Sequence, residues 1–138
     1  MTTAGPRVAP IATPDTAPFW EATSRGELAL PRCRSCLTYI FYPRSHCPSC
    51  FSRELDWTVL SGMASLHSFV IAHLPAPGFD PPYVIAIVEL AEGPRMMTNI
   101  VGVEPSPESL ELDMALQVVF ELQGDVMVPR FRPVDEGK

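Results

Sequence analysis

Every cysteine of the chain falls into one of two C-x-x-C pairs, Cys33-Arg34-Ser35-Cys36 and Cys47-Pro48-Ser49-Cys50, with ten residues between them. At that spacing one tight turn can aim two thiolates at a single point. Two such turns brought together place four sulfurs at the corners of a tetrahedron, the arrangement a structural zinc site requires. Using all four cysteines this way leaves no thiol for a nucleophile and no open position for a metal-bound water. The chemistry expected of Cys33, Cys36, Cys47 and Cys50 is therefore scaffolding around one structural zinc. The same four thiolates would also hold iron, which would make the site an electron carrier. His46, next to Cys47, is a possible substitute ligand, but the cysteine set is complete without it.

Other residues offer less. Read by alternation, His67, Phe69, Ile71 and His73 share one face of a strand, yet no serine, cysteine or placed carboxylate completes a nucleophilic arrangement with the two histidines. No catalytic residue is expected. Charge is unevenly spread. Residues 25–53 carry Arg25, Arg32, Arg34, Arg44 and Arg53 against Glu27 alone, while residues 54–138 carry four cations against thirteen carboxylates. An acidic C-terminal half is a poor footprint for a phosphate backbone. A zinc-ribbon and barrel module that binds single-stranded nucleic acid is the alternative this argues against, since stacking platforms on such barrels work inside basic grooves.

The elements that must position the cysteines follow from turn residues and periodicity. Residues 1–12 lack periodicity and read as a flexible tail. Thr13-Pro14-Asp15 predicts a helix start that runs to about Arg25, with Gly26 as its left-handed stop. Strands are predicted at Leu28 to Arg32, Leu37 to Tyr42 and Glu54 to Leu60, giving the order strand, C-x-x-C, strand, C-x-x-C, strand. This is the plan of a zinc ribbon, and a unit of about 30 residues depends on its metal for stability. From residue 61 onward only strands are expected: Met63 to His73, Tyr83 to Leu90 (buried on both sides), Arg95 to Val103, Met114 to Gln123 and Val126 to Arg132. Glu92-Gly93-Pro94 and Gly124-Asp125 form turns, and residues 104–113 form a longer connection with room for one helical turn. Five strands in about 75 residues suit a small OB-type barrel. A Pro-rich loop, Leu74 to Pro82, carries Phe79 and reads either as a stiff wall for a partner's substrate tunnel or as a plain connection. The domain reading is thus tail 1–12, helix and ribbon 13–60, and OB-fold 61–138.

At 46% hydrophobic and 19% charged the chain has material for a core. No apolar run reaches the roughly 18 residues that span a bilayer. No secretory h-region precedes residue 10. A cytoplasmic protein with reduced thiols and no membrane partner is the expectation.

A resemblance sharpens this. Phe19-Trp20-Glu21-Ala22, then Arg25-Gly26-Glu27-Leu28, Arg32-Cys33 with Cys36, Tyr42-Pro43-Arg44 and Cys47-Pro48-Ser49-Cys50 together resemble the family called domain of unknown function 35. The likeness spans about Pro18 to Phe131. It implies a mainly β fold: an N-terminal helix, a rubredoxin-like zinc ribbon and a C-terminal five-stranded OB-fold barrel. The family usually has glycine before the methionine that precedes its penultimate strand, where this chain has Asp113-Met114. The resemblance also implies function. It points to a non-catalytic accessory subunit that binds a thiolase-like acyl-CoA enzyme, an aldolase or acyltransferase, in steroid or fatty acyl-CoA side-chain degradation. The assembly implied is a heterotetramer or larger. In that setting Arg32, Arg34 and Arg44 are candidates to grip coenzyme A phosphates, for which the guanidinium fork is suited, or else to offset four thiolates or pair with the partner protein. A coenzyme A thioester shared with that partner is then a second ligand of the assembly.

Overall fold

The computed structural model describes residues 9–75 and 79–134. The expected tail therefore lies mostly outside the described residues; residues 9–12 have no regular structure. Helix α1, Ala17–Ser24, starts later than the turn chemistry suggests. Thr13 and Thr16 bond each other through both hydroxyls and backbone, Thr13 O accepting from the Thr16 and Ala17 amides at 3.0 and 2.7 Å. This closes a separate turn over Pro14-Asp15, so Thr16 takes the N-cap place and Asp15 falls outside the first helical turn. The stop is as expected, Gly26 adopting φ +77°.

The ribbon pairs β1, Ala29–Cys33, with β2, Leu55–Val59, antiparallel. The strand expected at Leu37 to Tyr42 is absent. That segment touches β1 through a single bridge, Arg32 opposite Tyr39, with the Cys33 amide bonded to Thr38 O and the Ile40 amide to Pro31 O, both at 2.9 Å. Beyond Ile40 the chain turns away because its rings find better burial elsewhere. Phe41 packs edge-on against Phe19 of α1 at 6.4 Å and against Tyr42 at 5.5 Å. Phe19, Trp20 and Phe41 thus cover one another, while Tyr42 remains half exposed.

The barrel is built from β3 (Met63–Ala72), β4 (Tyr83–Leu90), β5 (Arg95–Ile100), β6 (Ala115–Gln123) and β7 (Val126–Pro133), closed in the order β3-β4-β5-β7-β6. All neighbours run antiparallel except β5 and β7, which are parallel and share one register pair, Ile100 with Phe131. Gly124-Asp125 makes the last hairpin, and the long connection holds a short 3-10 turn at Pro107–Ser109. Asp113 adopts φ +69°. That is left-handed backbone, which glycine enters at lower cost. Gly62, between ribbon and barrel, sits at φ +81°, and a Cβ there would lie 2.6 Å from Val118 Cγ1.

Two expectations about faces are corrected. β4 is not buried on both sides: Val84, Ala86, Val88 and Leu90 point into the barrel, while Tyr83, Ile85, Ile87 and Glu89 lie half exposed outside. An antiparallel barrel of this size buries only its inner face. In β3 a bulge between Leu66 and Ser68 inserts His67 as an unpaired residue. The bulge puts Phe69 in register with inward Ala86, whereas His67 is exposed and His73 lies beyond the strand. The two histidines do not form a shared face.

One core joins the parts. Phe19 from α1, Leu28 and Leu30 at the ribbon's base, and Leu60 cluster with Leu66, Val88, Ile100, Leu116 and Phe131 of the barrel. The far end of the ribbon has only a small cluster of its own: Cys33, Ile40 and Cys47, with Leu55 packed against it.

Candidate metal centre and the surface around it

The two cysteine turns are built alike. In the first, the Leu37 amide donates to Cys33 O (2.9 Å) and the Cys33 amide to Thr38 O (2.9 Å). In the second, the Phe51 amide donates to Cys47 O (2.8 Å) and the Cys47 amide to Ser52 O (2.8 Å). Each turn ends in left-handed backbone at the residue after its second cysteine, φ 66° at Leu37 and 65° at Phe51. Bulky side chains rarely occupy that region. Both are largely exposed, Leu37 at 58% and Phe51 at 72%. The His46 ring stacks on Phe51 at 6.0 Å, so it serves as a platform for that side chain. Sequence reasoning did not single out Leu37 or Phe51; their shared place after the second cysteine of each pair was the available signal.

These turns bring Cys33, Cys36, Cys47 and Cys50 together, all four Sγ atoms lying within 4.8 Å of one another. Cys33 to Cys50 and Cys36 to Cys47 are each 3.5 Å apart. Metal–sulfur bonds of about 2.3 Å imply tetrahedral S···S edges of about 3.8 Å, so the set fits a tetrathiolate ion with small adjustments. The local field favours thiolates at part of the set. The Thr38 hydroxyl and then its backbone N–H lower Cys36 to about 6. Cys33 is also lowered, chiefly by the Cys36 backbone N–H. Cys50 goes the other way. The Ser52 backbone N–H lowers it, but hydrogen bonding with Cys33 and desolvation outweigh that and raise it to about 12. Four thiols at this separation cannot all ionise without a cation to share. The Ser49 amide reaches Cys47 Sγ at 3.4 Å, a further donor to sulfur.

The three arginines near the turns have different surroundings. Arg34 forms ion pairs with Glu54 (3.2 Å) and Asp56 (3.1 Å) across the ribbon. Arg32 donates to Leu37 O at 3.2 Å and lies over the Tyr39 ring at 4.9 Å. Arg44 is exposed. Away from the ribbon, Arg130 on β7 is buried, with Gln123 accepting from its Nη2 and Glu121 Oε1 3.6 Å from its Nε. Among the described residues no helix is long and apolar enough to cross a membrane.

A short helix, a four-cysteine ribbon and a closed barrel of this strand order define a ribbon-plus-OB-fold protein. Two family models match consecutive stretches. The ChsH2 rubredoxin-like zinc ribbon domain covers residues 20–56 and the ChsH2 C-terminal OB-fold domain residues 57–121. The chain belongs to the DUF35 family. A solved chain of the Ltp2-ChsH2(DUF35) aldolase superposes with a TM-score of 0.81 at 35% identity, over 91% of this chain and 98% of that one. A DUF35 domain-containing scaffold protein of Methanothermobacter thermautotrophicus is 34% identical over 99 residues, 70% of this chain and 73% of that protein. A probable enoyl-CoA hydratase alpha subunit of Thermomonospora curvata is 36% identical over 129 residues, 92% of this chain. The chain spans only 40% of that hydratase subunit's length.

Proposed function

We propose that the chain is a non-catalytic accessory subunit that docks on a thiolase-like acyl-CoA enzyme, an aldolase or acyltransferase. In this reading it helps form the acyl-CoA site, and the partner supplies the reacting groups. The observation that carries the reading is the likeness, over 98% of its length, to the DUF35 chain of an aldolase. The scaffold and hydratase alpha-subunit names of the relatives support it at a coarser level. Cys33, Cys36, Cys47 and Cys50 hold one structural zinc, which orders the ribbon when bound. Exposed Leu37 and Phe51 at the tips of its turns supply apolar contacts for the partner, since strained backbone persists where function uses it. Arg32 and Arg44 are the better placed of the three arginines for coenzyme A phosphates. Arg34 is already matched by two carboxylates. The acyl group, fatty or steroid, is set by the partner.

The test is co-expression with the thiolase-like product of a neighbouring gene. A single species on size exclusion at micromolar concentration, with acyl-CoA turnover that the partner lacks alone, is expected. Separate elution with unchanged turnover would remove the reading. Metal analysis of the purified chain decides zinc against iron, a red protein with one iron per chain overturning the zinc assignment.

A further inference from the structure

The outer wall of the barrel carries more apolar surface than a free strand face needs. Outward Ile85 on β4 and Met97 on β5, 65% exposed, stand beside Tyr83 and Phe79. Phe79, within the Pro-rich loop, is held over this wall from two sides. Tyr83 packs on its ring at 5.2 Å, and the buried Arg130 guanidinium lies 5.8 Å from its centre. Between these side chains is a hollow of about 330 Å³. A second hollow of about 230 Å³ adjoins it, reaching to Trp20 of α1 and to Phe41 and Tyr42 of the ribbon. Met97 and Arg130 border both. The two together fall in the size range of small-molecule sites, roughly 300–1,000 Å³ and mostly apolar with a few polar groups. The common wall at Met97 is an unbranched thioether, which re-packs readily around ligands of different shape. Polar groups at the floor are already engaged: Thr98 Oγ1 donates to Pro129 O at 3.2 Å and Asn99 Nδ2 to Val84 O at 2.8 Å. Arg130 lies beside the Glu121 carboxylate, so its charge is offset. The hollows therefore present hydrocarbon and ring surface and suit an occupant that is chiefly apolar.

We propose that these joined hollows bind the hydrocarbon portion of an acyl group, making this chain a direct contact for the substrate's apolar end. The inference rests on the acyl-CoA reading above for the identity of the ligand, and on the lining for its polarity. Binding beside Trp20 gives an optical signal. The chain has two tryptophans, so Trp57→Phe, an exposed position on β2, leaves Trp20 as the sole indole.

The metal-loaded Trp57→Phe chain is titrated with dodecanoate as a linear probe and lithocholate as a fused-ring probe, both below their micelle concentrations. A saturable change in Trp20 emission with a micromolar midpoint is expected for at least one. Saturation by only one probe identifies the acyl shape. Met97→Glu, a surface change, is expected to weaken binding at least tenfold. Leu122→Glu, exposed on β6 outside the hollows, is expected to leave it unchanged. No saturation by either probe, or equal binding by the Met97→Glu chain, overturns the proposal. The same variants are run in the co-elution assay. Association retained without probe binding overturns this inference and leaves the accessory role standing, whereas probe binding without any association does the reverse. Loss of association in Met97→Glu with no probe binding by the parent chain means the hollows seat partner side chains, which also overturns the ligand proposal.

Discussion

Stripping the metal is expected to unfold the ribbon's outer half while the barrel stays intact. The reason is where apolar burial is concentrated. Beyond β1 the ribbon buries only Ile40 and Pro43 as non-cysteine apolar side chains, with Leu55 half buried beside Ile40. Full burial of such a side chain stabilises by about 1.5–3 kcal/mol. Binding of a structural zinc to four cysteines is worth about 10–16 kcal/mol in small ribbons at neutral pH. The metal therefore outweighs that cluster severalfold, and ordering some twenty residues from Arg34 to Glu54 without it is unfavourable. The ribbon's base is different. Leu28, Leu30 and Leu60 belong to the barrel's core and do not depend on the ion. The assay is a nitrogen–proton NMR spectrum before and after chelation, with metal removal verified by elemental analysis. Amides of Leu37 and Phe51, bonded to Cys33 O and Cys47 O, are expected to collapse to unstructured positions. The Val118 amide, bonded to Gly62 O at 2.8 Å, is expected to stay dispersed. Dispersed Leu37 and Phe51 amides in the metal-free chain would refute the reasoning. Loss of the Val118 signal would show instead that the two halves share one cooperative unit.

Three further outcomes can be checked separately. Asp113→Gly relieves left-handed backbone at φ +69° and is expected to raise stability by up to about 1 kcal/mol, a few degrees in thermal melting; a lower melting temperature counts against it. Gly62→Ala combines positive φ with a Cβ 2.6 Å from Val118 and is expected to cost about 2–4 kcal/mol in urea unfolding, part of it recovered by Val118→Ala, and independent effects of the two changes would exclude the contact as the cause. Metal release follows the cysteines: with Cys36 lowered from 9.0 to about 6, its stabilising thiolate is fully present above 9.0 and lost as pH falls through about 6, and bound metal pushes that loss lower still. A metallochromic dye should therefore report release with a midpoint below pH 6; release above pH 7 would contradict the assignment.

The cysteine turns and most strand limits were legible because they rest on short-range chemistry. C-x-x-C spacing, Gly124-Asp125 and Glu92-Gly93-Pro94 act within a few residues, and β4 spans Tyr83–Leu90 as its composition implied. The departures arise where tertiary contact overrides local preference. The β-prone run Leu37 to Tyr42 forms no strand because Phe41 is drawn onto α1. The bulge at His67 shifts the alternation of β3, and alternation alone cannot reveal an inserted residue. Both faces of β4 look alike in sequence, so which half of its apolar residues stays outside was hidden. For the same reason the hollow beside Met97 could not be foreseen: its walls come from α1, the ribbon, the Pro-rich loop and three strands. At the metal centre the ligand set was readable, whereas the left-handed conformations of Leu37 and Phe51 were not, because neither residue type favours them.

The single register pair between β5 and β7 makes that junction the barrel's weakest seam. The Val101 amide on Phe131 O (2.8 Å) and the Thr98 hydroxyl on Pro129 O do there what a full ladder does elsewhere. Breathing of the sheet should start along that line, with Val101 exchanging its proton sooner than amides in the long β3–β4 hairpin. Since Met97 and Arg130 flank the same line, a wider opening there would let bulky molecules enter without melting the rest of the wall.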